Sequence, residues 1–446
     1  MDMTIIMNSE ESYIVRFLIM NNENFFKDFG FLTFFTLVIL VSFSCEKNVK
    51  LDPEPLNRIL DRYVHDGVYP FLYSRIEDSG GRVVYEHSVV NSELLPGIHV
   101  DSDTWIRIWS MSKLVTISIA MDLIEDGIIS LEDPVVKYIP EFKNLKVAVN
   151  SDGISLARLN KKNNPFPFSL VSTDSGLIIE NLFDHTAGFY YALTGFAFID
   201  SIIAEVDIPN QKNGNALIQE LAQLPLIQNP GEIYKYGMNT TVLGLLLERA
   251  TGQSLNDLVI NRITKPYKIQ GLGYTLPDNV SLIPCFTGRD GYLRQAMEGE
   301  LNLFGGNVPD YDPDKNLFLG GEGMLATAKG YIDFMRLLFF DSHLNGIEFL
   351  SKKSLTQMTL KPEGKHNDYG YQTGYAFYLT SDNNPYEKNI LRVGGYEKTS
   401  CWVDRKYKLI GILFSQANET VDRIGLGSRM DNDFKKELRR QLSNYE

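Results

Sequence analysis

The 446-residue chain has only three cysteines and six histidines, and both numbers exclude chemistry. Three thiols cannot build a disulfide framework, and Cys285 and Cys401 stand in no CxxC or Cys/His pattern, so they read as small buried hydrophobes. The histidines (65, 87, 99, 185, 343 and 366) fall at no i, i+4 pair and no zinc-ligand spacing, and neither a metal nor another cofactor is expected. No HExxH, GxSxG, GxxxxGK[ST] or strand-following GxGxxG occurs. Basic excess is missing too: 43 Lys and Arg face 56 Asp and Glu, a net charge of −13, which argues against nucleic acid as a partner. The local cluster Lys435, Lys436, Arg439 and Arg440 reads as the solvated face of a last helix.

What is present begins with residues 31–43, FLTFFTLVILVSF, too short to span a bilayer but suited to the core of a signal peptide. The run ends at Ser42-Phe43-Ser44-Cys45, with polar Glu46-Lys47-Asn48 beyond it. This resembles the lipobox of bacterial lipoproteins, in which the chain is cut before a Cys that then carries a lipid, although Ser42 stands where an aliphatic residue is usual. The resemblance implies a bacterial cell-envelope protein anchored in the membrane through Cys45, on the periplasmic side or the outer-membrane face; ordinary secretion is the alternative. Glu10, Glu11 and Glu23 do not suit the positive start of such a signal, and Met20 would be a more regular first residue. Residues 1–45 are thus read as signal peptide, 46–55 as a polar tether and 56–446 as one folded domain.

Within that domain Leu56, Ile59, Leu60, Tyr63 and Val64 recur at helical spacing. Strand-like runs at 69–76 and 82–87 are joined through Ser79-Gly80-Gly81, a hairpin signal. A helix begins near Met111, with Leu114, Ile117, Ala120, Met121 and Ile124 on one side. Strand character returns at 375–379, 389–393, 400–404 and 408–414, and a final helix starts near Ser428. Strands at both chain ends predict an α/β fold of the α+β kind: one antiparallel sheet built from both termini and flanked by helices. A mostly helical insertion is expected at about 140–310.

The chemistry centres on Ser110-Met111-Ser112-Lys113. On a helix, Lys113 sits one turn from Ser110 over the same face. The helix N-terminus favours negative charge at the serine oxygen, and a nearby ammonium activates a hydroxyl or phenol partner or, once desolvated, acts as base itself. Taken alone, the spacing favours a plainer reading of Ser110 as a helix N-cap. A second SxxK, Ser44 to Lys47, falls in the signal region and is coincidence.

Context reverses that order. Residues 105–116, WIRIWSMSKLVT, resemble the nucleophile segment of the serine β-lactamase and penicillin-binding-protein family, and 121–127 and 131–135 resemble its continuation. In the family's order follow LFDHTAG (182–188), YKYGMN (234–239), GGEGMLATA (320–328), and Gly394-Gly395 with Thr399 and Trp402-Val403-Asp404, so that the likeness covers about 55–440. The resemblance implies a β-lactamase/transpeptidase-like fold. It also implies that Ser110 forms an acyl-enzyme, that Lys113 and Tyr236 share the proton traffic, and that the backbone amides of Ser110 and Tyr396 form an oxyanion hole. His185 reads as a capping and loop-ordering residue.

Two departures matter. The active-site strand begins with Val393 where the family carries a cation or donor, and Met238 stands where Tyr-x-Asn has its Asn, with Asn239 one residue late. Val393, Gly394, Gly395 and Met238 are the expected substrate-binding positions. Loss of carboxylate and amide recognition favours an esterase or amidase acting on a small acyl substrate. The alternatives are a D,D-peptidase, D-aminopeptidase or weak β-lactamase acting on cell-wall peptides or β-lactams, or a non-catalytic binding member of the same fold. The loops at 148–172 and 286–316 match no motif and are expected to shape the pocket.

Overall fold

The computed structural model describes residues 49–159, 168–174, 176–297, 299–301, 314, 316–340, 348–359, 372–379, 390–424 and 427–445. The apolar run at 31–43, Met20 and Cys45 lie outside the described residues.

Helix α1 (Pro53–His65) starts on Asp52, whose side chain accepts from the Glu54 N–H, and Pro53 occupies the first turn, where a missing N–H costs nothing. Leu56, Leu60, Tyr63 and Val64 form its buried stripe. The stretch expected as a tether gives way to packed chain before residue 56. Val49 is buried, the Lys50 N–H donates to the Tyr445 hydroxyl, and the Asp52 N–H donates to the Gln441 amide oxygen. These hydrogen bonds tie Lys50 and Asp52 to the chain's far end.

Strands β1 (Phe71–Asp78) and β2 (Val83–Val90) form the N-terminal hairpin. Near the other end lie β3 (Gln372–Thr373), β4 (Tyr378–Leu379), β5 (Ile390–Gly395), β6 (Thr399–Asp404) and β7 (Leu409–Phe414). They make one antiparallel sheet in the order β3-β4-β5-β6-β7-β1-β2, with Tyr73 opposite Phe414 and Asp78 opposite Leu409. Both termini therefore build the sheet, as expected. Every residue of β7 is buried, so both faces of this central strand are covered.

Four more helices complete the frame: α2 (Ser112–Glu125), α3 (Asn239–Thr251), α4 (Ala328–Phe339) and α5 (Arg429–Leu442). Nearly all of α2 is buried, which is the pattern of a helix apolar on every side and placed at the centre of the fold. It packs on α3, while α4 covers β7 and α5 lies on α1. Ser428 caps α5 by accepting from the Asp431 N–H. The basic face of α5 is only partly solvated, because Arg439 reaches buried Asp404 on β6 at 2.6 Å. Between the two groups of strands helices predominate, but the insertion also holds a ribbon of Lys146–Val149 against Ser169–Ser172.

Candidate active site

Ser110 is not an N-cap. It lies in a short 3-10 turn, Trp109–Met111, that leads into α2, and Met111 holds the cap position without a side-chain bond. The turn is reached through Trp109 at φ +49, a left-handed conformation that a bulky residue adopts at a cost of about 1–3 kcal/mol. Surrounding contacts enforce it: the Trp109 indole N–H donates to Glu397 Oε2 at 2.8 Å, and its ring meets Tyr396 edge-on at 5.5 Å. Burial pushes the Glu397 carboxyl above the usual carboxylate range.

The strained turn sets the Ser110 side chain between Lys113 on the first turn of α2 and Tyr236 on the loop before α3. Lys113 Nζ lies 3.1 Å from Ser110 Oγ, and the Tyr236 hydroxyl lies 2.7 Å from the same oxygen. Lys113 is 5% exposed and also donates to the Tyr191 hydroxyl at 2.9 Å, the Gly321 carbonyl at 2.8 Å and Glu322 Oε1 at 3.1 Å. Its Nζ stands 5.1 Å from the Tyr236 ring centroid, a cation facing an aromatic ring.

Tyr236 is carried by the loop before α3, and Gly237 lets that loop lie close to its neighbour. A Cβ at Gly237 would sit 2.1 Å from the Phe189 carbonyl oxygen, so only glycine fits beside the segment that bears Tyr191. His185 packs against the ring, at 4.8 Å between centroids, and its Nδ1 accepts from the Asn239 amide N–H at 3.0 Å. Burial, and then the charge of Lys113, pull the His185 imidazole down to about 3, so it is neutral around pH 7. His185 takes the left-handed position (φ +57) just past the short helix Ile179–Phe183, where the Thr186 N–H donates to the Asn181 carbonyl, so it caps that helix; its carbonyl accepts from the Lys235 N–H and orders the tyrosine loop.

Above Ser110 opens a cleft of about 370 Å³, counting its mouth. Ser110, Lys113 and Tyr236 form one wall, and Tyr375, Ala376, Phe377, Val393 and Gly394 form much of the rest. Lys113 is the single charged side chain among the described lining residues, and Glu322 already faces it. A serine oxygen held between an ammonium and a phenol, in a mostly apolar cleft, is suited to acyl transfer through a covalent ester.

The description "Beta-lactamase" belongs to the family model that matches residues 79–431. The chain belongs to the beta-lactamase family. A Mycobacterium tuberculosis protein is 28% identical over 267 residues, which is 59% of this chain and only 60% of that protein's length. The lovastatin esterase of Penicillium rubens is 24% identical over 377 residues, covering 77% of this chain and 88% of the esterase. Among solved structures, simvastatin synthase (LovD) of Aspergillus terreus superimposes with a TM-score of 0.68 at 18% identity, covering 88% of this chain and 99% of that one. Identity at that level speaks for the fold alone, and the fold is the β-lactamase/transpeptidase-like one expected above.

Within this beta-lactamase-family chain the sequence-chosen residues divide. Ser110, Lys113 and Tyr236 converge, and Val393 and Gly394 line the cleft. Met238 does not: it is buried and absent from the lining, because the loop turns its side chain into the core as α3 begins. Gly395 is also not part of the lining. It presses on the nucleophile segment, where a Cβ would lie 2.3 Å from the Ile108 carbonyl oxygen. Tyr396 follows it, with its ring on Trp109 and its hydroxyl accepting from Asn418. Asn239 is buried on His185 and does not reach the cleft. No described residue of 148–172 or 286–316 lines the cleft; residues 374–377 take that place.

Sequence reading missed Tyr191, Thr241 and Glu322. The one available signal was a carboxylate inside the glycine-rich run Gly320-Gly321-Glu322-Gly323, where turn geometry needs none.

Proposed function

We propose that this protein is a serine esterase that carries a small, uncharged acyl group on Ser110. The carrying observation is the Ser110 oxygen set between Lys113 and Tyr236 in a cleft whose other described lining is uncharged. Ser110 Oγ attacks the ester carbonyl while its proton passes to the Lys113/Tyr236 pair. The backbone amides of Ser110 and Tyr396 receive the developing oxyanion. The same pair then returns a proton to the leaving alkoxide, and water repeats the sequence to release the acid. No cofactor enters the reaction.

An alcohol in place of that water would give acyl transfer rather than hydrolysis. The similarity to both an esterase and a simvastatin synthase supports keeping this as a companion activity. An amide is the harder acyl donor of the same reaction. A D,D-peptidase or β-lactamase reading is weaker, because such substrates present a carboxylate and Val393 offers it no charge. A non-catalytic role is weaker still, since binding alone needs no serine between a lysine and a tyrosine. The lipobox-like Cys45 supports an envelope-anchored enzyme.

A panel of nitrophenyl esters, nitrocefin and D-amino-acid amides tests this. Short neutral esters are expected to be turned over fastest by a wide margin. Preference for nitrocefin or the D-amides would replace the reading.

A further inference from the structure

Glu322 is fully buried, and a buried carboxylate is costly unless it is paired and hydrogen-bonded. Both of its oxygens are engaged. Oε1 faces Lys113 Nζ at 3.1 Å and accepts from the Tyr191 hydroxyl, while Oε2 accepts from Thr241 Oγ1 at 2.5 Å. The carboxylate thus joins α2, α3 and the Tyr191 loop at the point where they meet beneath Ser110.

Lys113 has three N–H donors, and four oxygens surround it: Ser110 Oγ, Tyr191 Oη, the Gly321 carbonyl and Glu322 Oε1. An ammonium held this way has no lone pair with which to accept the Ser110 proton. The other group in reach of that proton is the Tyr236 oxygen at 2.7 Å.

We propose that Glu322 is a positioning residue: it holds Lys113 as a fixed cation beside Ser110 and so leaves the Ser110 proton to Tyr236. This deepens the serine-esterase reading above and rests on it. The bond between Ser110 Oγ and the carbonyl carbon forms as the Oγ proton moves to the Tyr236 phenolate. The carbonyl π pair moves to its oxygen, and on collapse the leaving alkoxide takes the proton back from Tyr236. Lys113 gains and loses no proton in the cycle; its charge stabilises the phenolate. The titratable groups facing Lys113 are Glu322, Tyr191, Tyr236 and the neutral His185, and Glu322 is the carboxylate among them.

The test uses the full-length protein with ¹³C at lysine Cε, the Lys113 signal being assigned by its loss in Lys113→Met. Glu322→Gln is expected to move the Lys113 titration midpoint down by at least about one pH unit relative to wild type, because a buried cation loses its counter-charge. The same variant is expected to slow fluorophosphonate labelling of Ser110 about 10²-fold at neutral pH, as a misplaced reacting group does, with partial recovery in Glu322→Asp. An unmoved midpoint, or an unchanged labelling rate, overturns the proposal. Wild-type protein that takes no label at Ser110 sinks the esterase reading and the catalytic half of the proposal, while the lysine signal still decides whether Glu322 holds Lys113. If Glu322→Gln does not fold, Lys113→Met/Glu322→Gln is expected to melt higher than Lys113→Met alone, since the single variant strands a buried carboxylate. Equal or lower melting of the double variant contradicts the pairing.

Discussion

Trp109 donates its indole N–H to Glu397 at 2.8 Å, which ties the residue before Ser110 to the residue after Tyr396. The amides proposed to form the oxyanion hole belong to the adjacent residues, Ser110 and Tyr396, so this buried hydrogen bond ties together the two segments that carry them. Trp109→Phe keeps most of the ring but leaves Glu397 with one acceptor fewer satisfied in a site where Oε1 already lacks a partner. The expected loss is about 1–3 kcal/mol of stability, together with a kcat reduced more than KM is raised. Glu397→Gln, whose amide oxygen still accepts the indole proton, is expected to be milder in both respects. Thermal unfolding and steady-state kinetics on the two variants check this.

Ser112 separates structure from chemistry within the same turn. Its Oγ is fully buried and accepts from the Met324 N–H at 3.1 Å, far from the role proposed for Ser110. Ser112→Ala is expected to lower stability by about 1–3 kcal/mol through that stranded donor and to leave kcat near wild type. Lys113→Ala and Tyr236→Phe are each expected to cut turnover by about 10² or more, and Ser110→Ala to abolish it in a folded protein. Lethality of Ser112→Ala with survival of Ser110→Ala would mean that the nucleophile register is wrong.

Stability should depend on pH through Glu248, whose carboxyl burial raises to about 7 from 4.5. The folded state therefore binds a proton that the unfolded chain has already released between these values. The stability this confers is complete below 4.5 and is lost as pH rises through 7. His185 runs in the opposite sense. Its folded value near 3 lies below 6.5, so its contribution is present above 6.5 and is lost as pH falls toward 3. Between 4.5 and 6.5 these two slopes oppose one another, while Asp122, which burial raises to about 6, adds to the Glu248 slope. Glu248→Gln exposes the first: the amide still accepts from the Leu255 N–H, as Glu248 does at 2.8 Å. Its stability relative to wild type should rise between pH 4.5 and 7 by up to about 3 kcal/mol and then level off. Denaturant midpoints measured at several pH values give the answer, and a gap independent of pH would refute the assignment.

The envelope reading makes its own prediction. Protein expressed from its native start in a bacterium and extracted from membranes should carry a diacylglyceryl group on Cys45, with residues 1–44 removed. An intact mass retaining 31–43 in a soluble product would rule out the lipobox reading.

Much of the frame was legible because it rests on local rules. The stripe Leu56, Leu60, Tyr63, Val64 marked α1, Ser428 marked the start of α5, and the Ser79-Gly80-Gly81 hairpin placed β1 beside β2. The Ser110–Lys113 spacing also survived, since one helical turn fixes it. What local rules could not reach was the company that Lys113 keeps. Tyr191 lies 78 positions away and Glu322 lies 209 away, and no periodicity links them. Met238 was misjudged for a related reason: motif alignment gives its place in the chain, while the onset of α3 decides which way its side chain turns. The left-handed Trp109 is another such case, because it is held by Glu397 in the distant turn between β5 and β6 and not by its own neighbours.

The central claim is that Ser110 is an activated nucleophile. It is tested most directly by the intact mass of the protein after incubation with a fluorophosphonate, followed by peptide mapping. The account predicts one adduct, on Ser110, formed at neutral pH and lost in both Lys113→Ala and Tyr236→Phe. No adduct on a well-folded protein, or an adduct on another serine, would contradict it.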